Sequence, residues 1–241
     1  MYGSTQRIHE RCMPFFMKSI LTILVSVIYC SVFGQINIAI IKDPDGYTNI
    51  REGNGADFEV IGRINKNEPF QFTKSNDDWW AVVKPTFGES ITGFVHKSRI
   101  TPFASLKSKE KIEFIGHVYK REIELIKSND WELRRLYHEP VFDFILDASA
   151  DFISLTRNEE LMNLFLTSIK LDSGSADEMP SWALGKIYIA QPEWTVEQIK
   201  KAGKTLILIN SLEFGFENVS YGQESKIPNY TCLKNGIEKL R

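Results

Sequence analysis

Cysteine is scarce in this chain: Cys12, Cys30 and Cys232 are all there is. The first two lie in or before an apolar N-terminal stretch, so removal of that stretch leaves Cys232 alone. No intramolecular disulfide can then form, which excludes the disulfide-stapled class of small exported domains. A lone thiol near the C-terminus is expected to be a small buried apolar residue. Histidine is equally thin. His96, His117 and His138 lie beyond the apolar stretch, widely spaced and without an HExxH or HxE pairing, so no metal site is expected. No G-x-S-x-G, phosphate-binding loop or G-x-G-x-x-G is present, and no cofactor is expected.

Positive charge is not in excess either. The net charge is −2, and removing residues 1–34 takes away Arg7, Arg11, Lys18 and Glu10 to leave −4. A general nucleic-acid binder needs a basic face to release counterions from phosphates, so that class is excluded, though a small basic patch is not. No apolar run reaches the roughly 20 residues of a comfortable membrane span. The longest, Ile20 to Val32, comes after Lys18 and ends in small residues around Ser31-Val32-Phe33-Gly34-Gln35. A basic start, a short apolar stretch and small residues at −3 and −1 make residues 1–34 a secretory signal peptide, with Met17 the expected natural start and cleavage after Gly34. The alternatives are lipidation at Cys30, where Tyr29 is bulkier than such a site prefers, and an uncleaved anchor. Export to the periplasm or the extracellular space is the expectation, with no stable membrane span after cleavage.

Beyond the leader the chain breaks into short β-rich runs. Ile38–Ile41, Thr48–Arg51, Val60–Ile64, Phe70–Lys74, Trp79–Val83 and Ile91–His96 are separated by Asp43-Pro44-Asp45-Gly46, Glu52-Gly53-Asn54-Gly55, Asn65-Lys66-Asn67 and Ser75-Asn76-Asp77-Asp78. Proline presets φ and glycine accepts positive φ in such turns, and Gly53 and Gly55 are expected to do so. Short strands at about ten-residue spacing predict a small sandwich or barrel over residues 37–103. Ile50, Ile61, Val82 and Val95 are expected to point inward, and a barrel this small has no room for an internal ligand. Adjacent side chains on a strand face opposite ways, so Trp79 and Trp80 cannot both be inside.

Four blocks, Tyr47-Thr48-Asn49-Ile50-Arg51-Glu52-Gly53, Val60-Ile61-Gly62-Arg63-Ile64, Trp79-Trp80-Ala81-Val82 and Gly93-Phe94-Val95-His96, occur in that order. Together they resemble the bacterial SH3 (SH3b) domain, with Phe94 where tryptophan is commoner. The resemblance implies a small all-β SH3-like barrel that recognises cell-wall glycan, its peptide stem or a protein segment. Tyr47, Trp79, Trp80, Phe94 and His96 are the candidate ligand-binding residues, since an indole or phenyl face stacks on sugar rings and peptide planes. Arg51 is expected to hold the barrel by a hydrogen bond or ion pair.

Texture changes after the charged connector 106–111, and residues 106–241 are expected to form a mainly α-helical domain of about five helices. Residues 111–126 read either as a helix or as two strands, because Gly116 interrupts the pattern. Val141–Leu155 carries apolar residues near a 3.6 period. A capping box at Thr156–Glu159 opens a helix to Leu171, and a further helix runs over 177–190 with Pro180 in its first turn. A second box at Thr195–Gln198 opens a helix running to about Phe214, Gly215 and Gly222 lie in a loop, and Asn229 caps a last helix. Trp182 and Trp194 are expected as core anchors.

SH3b modules often accompany peptidoglycan hydrolases, but the associated cysteine peptidases place the catalytic cysteine before a histidine, whereas Cys232 comes after every histidine here. Glu159-Glu160 and Asp177-Glu178 sit at expected helix starts, where they complement the helix dipole. No catalytic constellation is visible. The sequence therefore predicts an exported, non-catalytic binding protein of the bacterial envelope, with peptidoglycan or an envelope protein as partner. An inhibitor or interaction module for one protein partner is the alternative, and a cell-wall hydrolase using helical-domain carboxylates is a third.

Overall fold

A computed structural model describes residues 37–172, 177–203 and 205–241. The leader, with Met17, Cys30 and Gly34, lies outside the described residues.

Seven strands form one curled antiparallel sheet: β1 (Ile38–Ile41), β2 (Tyr47–Arg51), β3 (Val60–Asn65), β4 (Phe70–Thr73), β5 (Trp79–Thr86), β6 (Glu89–His96) and β7 (Ile100–Pro102). Their order is β3-β2-β6-β5-β4-β1-β7, the half-barrel expected of an SH3-like fold. Its inside is filled by Ala39, Ile41, Ile50, Ile64, Phe70, Phe72, Val82, Val95 and Ile100. Full burial of each of the larger aliphatics stabilises by about 1.5–3 kcal/mol. Strand β7, which the sequence pattern does not announce, closes the sheet by pairing with β1.

Two expectations about the barrel need correction. Ile61 is 42% exposed. The β2–β3 register shifts between Ile50 and Arg51, placing Gly62 opposite Ile50, and the buried position on β3 falls to Ile64. Gly53 and Gly55 are not at positive φ, although Gly46 is, at 77°. Gly53 is needed for space: a Cβ there would run into the Phe58 ring, which folds back over the 52–59 loop. Arg51 ties that loop down, its Nη1 donating to the Phe58 carbonyl at 2.7 Å.

The remainder of the chain is helical: α1 (Ser108–Ser128), α2 (Trp131–Tyr137), a π-helical turn (His138–Asp143), α3 (Phe144–Thr156), α4 (Glu159–Leu171), α5 (Met179–Ala190), α6 (Pro192–Lys201), α7 (Leu206–Ser220) and α8 (Tyr230–Glu238). The ambiguous segment 111–126 is one continuous helix. Phe114, Ile115, Val118, Tyr119, Glu122 and Ile123 are buried at helical spacing, and Gly116 lies within the helix, where a Cβ would make only ordinary contact with Leu161 of α4. The expected connector is mostly helix, because α1 begins at Ser108 and Leu106 is buried. Packing continues across the junction: Ile40 and Phe103 lie against the helical core, and the Arg135 guanidinium covers the Phe87 ring at 4.5 Å.

Several helix boundaries also differ from expectation. Asn158, not Thr156, caps α4 by accepting from the Leu161 N–H. Thr195 lies inside α6, its hydroxyl donating to the Gln191 carbonyl, and the expected single helix to Phe214 breaks at Gly203 (φ 102°) and restarts under a Thr205 cap. Gly215 is not in a loop but inside α7, where its bare Cα lies against the Ser181 carbonyl and Gly185 of α5. Asn229 precedes α8 in the left-handed conformation without a side-chain cap. Trp182 is 42% exposed, and Cys232 is exposed rather than buried.

Candidate functional site

Strand alternation sorts the candidate residues by face. Thr48 and Ile50 on β2, Val82 on β5 and Gly93 and Val95 on β6 are buried, so Tyr47, Trp79, Phe94 and His96 take the opposite, outer face. Trp79 pairs with His96 and Ala81 with Phe94 across the β5–β6 ladder, and Phe94 pairs with Arg51 of β2. The outer face thus carries an aromatic band: Trp79 against His96, Phe94 beyond them, and Tyr47 along β2. Tyr47 is capped by the Arg63 guanidinium, 4.6 Å above its ring. His96 is fixed from behind, its Nδ1 lying 2.8 Å from the Ser98 hydroxyl.

Trp80 goes the other way. Its indole stacks on Phe72 at 5.5 Å and packs against the barrel core, with its Nε1 buried and without a hydrogen-bond partner. Of the five candidates, four share the outer face and Trp80 supports it from beneath.

A second constellation lies in the helical part, where linear spacing gives no sign of it. Glu122 of α1 is completely buried, and its Oε1 accepts from Arg134 Nε at 2.7 Å and lies 2.8 Å from His138 Nδ1. Arg134 also donates to Asp172 at 2.7 Å. The far ring nitrogen of His138, Nε2, is 3.1 Å from Asp177 and 3.5 Å from Asp143, and the ring stacks on Phe142. Burial opposes charge on His138, but its acceptors Asp177 and Glu122 outweigh it and push the imidazole up to about 10. Burial pushes the Asp143 carboxyl up to about 7. Asp177 is held below its ordinary value, since bonds from His138 and the Met179 N–H overcome its burial. The residues come from positions 122, 134, 138, 143, 172 and 177, which only the folded helices bring together.

Residues 46–101 match the bacterial SH3 domain family. The matched span runs from the turn before β2 to β7 and contains all five candidate residues of the SH3 domain. The helical residues beyond it match no family, and no curated protein and no solved structure matches the chain. SH3 domains of this kind are typically binding modules, which agrees with an outer-face aromatic band and a filled interior. Among the described residues, no helix is long and apolar enough to cross a membrane.

Proposed function

We propose that the protein is an exported, non-catalytic binding protein of the bacterial envelope, and that the outer face of its SH3 domain receives an extended peptidoglycan segment, glycan or stem peptide. The observation that carries this reading is the band formed by Trp79, His96, Phe94 and Tyr47 on one side of β5, β6 and β2. Flat aromatic faces stack on sugar rings and peptide planes without needing deep concavity. The interior of the barrel is occupied by its own side chains, so binding falls to the surface. Residues 1–34 supply the route out of the cytoplasm as a cleaved signal peptide. Titration with soluble muropeptides, monitored through the indole N–H resonances, tests the assignment. The Trp79 signal moves in proportion to occupancy while that of Trp80 responds only weakly; equal or absent shifts overturn it.

A protein partner is the second reading. Leu133 and Leu136, three residues apart on one side of α2, are 43% and 58% exposed, apolar surface of the kind protein interfaces use. Under that reading one protein co-purifies in stoichiometric amount and no muropeptide binds.

A further inference from the structure

We propose that His138, Asp143 and Asp177 form a binding site for one divalent transition-metal cation of the zinc class. Each offers one donor atom, and the three donors lie within 4.8 Å of one another. His138 Nε2 stands 3.1 Å from Asp177 Oδ2 and 3.5 Å from Asp143 Oδ1. Ligands about 2.0–2.1 Å from a tetrahedral ion are separated by roughly 3.4 Å, so small side-chain adjustments admit the ion between them.

The local backbone is what brings two of these donors together. Residues five apart on an α-helix are rotated by about 140°, too far to share a site. Here the segment is a π-helical turn, whose i→i+5 bonding stacks such residues, and His138 and Asp143 are its first and last members. A single widened turn therefore supplies two ligands, and Asp177, just before α5, supplies the third.

Around this group are features that a cation accounts for. Glu122, fully buried on the other side of the imidazole, holds Nδ1 and leaves Nε2 to face the two aspartates. A carboxylate gripping the far nitrogen is the usual way a metal-binding histidine is oriented and made more basic. Two carboxylate oxygens in the cluster, Glu122 Oε2 and Asp143 Oδ1, are buried without a hydrogen-bond partner. Arg134 serves both Glu122 and Asp172, and His138 is shared among Glu122, Asp143 and Asp177. A buried carboxylate oxygen without a donor, as on Asp143, is costly, and a divalent ion beside it adds positive charge there. An imidazole nitrogen with two carboxylates suits zinc and its first-row neighbours, whereas magnesium and calcium favour all-oxygen sets. The three ligand side chains keep 15–18% of their surface exposed, so the cluster is not sealed from solvent.

The test uses the full chain, stripped with chelator and titrated with zinc sulfate. Calorimetry should give one equivalent of zinc per chain, with a rise in the unfolding temperature. Histidine side-chain ¹⁵N spectra should show His138 Nε2 moving to a metal-bound shift while His96 and His117 stay in place. Asp143→Asn and Asp177→Asn, near-isosteric changes, should each weaken binding at least 10-fold, as loss of a ligand requires; His117→Ala should not. The proposal is overturned if the wild-type chain takes up no zinc saturably, or if zinc binds while His138 Nε2 is unmoved. Because the ¹⁵N experiment reads the unaltered protein, it decides the matter even if a substituted chain fails to fold.

Discussion

Trp79 meets His96 edge to face, 5.5 Å between ring centroids and 83° between ring planes, on the outer surface of the β5–β6 ladder. The next residue, Trp80, turns inward onto Phe72. Two neighbouring tryptophans therefore have different roles, one presenting a face and the other filling the open side of the core. Trp80→Ala should cost about 2–4 kcal/mol of stability, since it leaves a space beside Phe72 that the barrel cannot close. Trp79→Ala should cost under about 1 kcal/mol. Urea denaturation midpoints compare them directly, and equal losses would contradict the assignment of faces.

The close contact of α5 with α7 depends on two glycines. Gly185 and Gly215 face each other so closely that a Cβ on either would enter the other helix's backbone. Gly215→Ala should therefore destabilise by at least about 3 kcal/mol, at or beyond the upper end of overpacking costs, because the obstruction is backbone and cannot rotate away. Gly222→Ala is the useful comparison. It has open space but a φ of 67°, so only conformational strain is added, about 1 kcal/mol. A thermal melt of both variants checks the order.

Much of the barrel is legible in residue order, because turn chemistry and alternation are local. The Asp43–Gly46 turn and the strand sequence arise from neighbours within a few positions, and a structural tie from Arg51 is expected, though its partner, the Phe58 carbonyl, is not. Ile61 departs from its expected inward place because a register shift in the β2–β3 pair is invisible in one strand alone. Gly116 and Gly215 read as interruptions because glycine weakens an isolated helix; that α1 runs through Gly116 and that Gly215 opens α7 to α5 are tertiary facts. The charged cluster is hidden for the same reason. His138 is five residues from Asp143 and 39 from Asp177, separations that match no ligand spacing rule, and a π turn carries no clear sequence mark. The outer-face aromatics can be nominated from the SH3b blocks, but the division between Trp79 and Trp80 requires the ladder register.

Glu68 gives a pH signature within the barrel. Burial alone would raise its carboxyl, but bonds from Asn65 and Lys84 outweigh this and hold it below the ordinary value of 4.5. A depressed carboxyl adds stability that is complete above its unfolded pKa and is lost as pH falls through the folded one. Glu68→Gln should thus lower stability by up to about 1 kcal/mol at pH 7, with the difference fading below pH 4.5. Urea midpoints of both proteins in neutral and acidic buffers check this; a gap that widens in acid would contradict it.

Arg134 is the only arginine among the described residues that reaches both Glu122 and Asp172. Arg134→Met keeps most of the stem volume but removes the guanidinium from two poorly solvated carboxylates, leaving Glu122 with His138 alone. The expected cost is about 3–5 kcal/mol, and Arg134→Lys should recover little, because one ammonium cannot reproduce the forked geometry. Denaturant unfolding of the three proteins tests this, and near-wild-type stability of the methionine variant would show that water already reaches the pair.

Binding of the cell wall by the outer aromatic face of the SH3 domain, as proposed, is tested by co-sedimentation of the chain with purified peptidoglycan sacculi. Wild type is run beside Trp79→Ala and Phe94→Ala, with circular dichroism confirming that each is folded. Wild type should pellet with the sacculi while both folded variants stay largely in the supernatant, a loss of roughly 10-fold or more for a stacking tryptophan. A wild-type chain that remains in the supernatant, or a Trp79→Ala chain that pellets equally well, would contradict it.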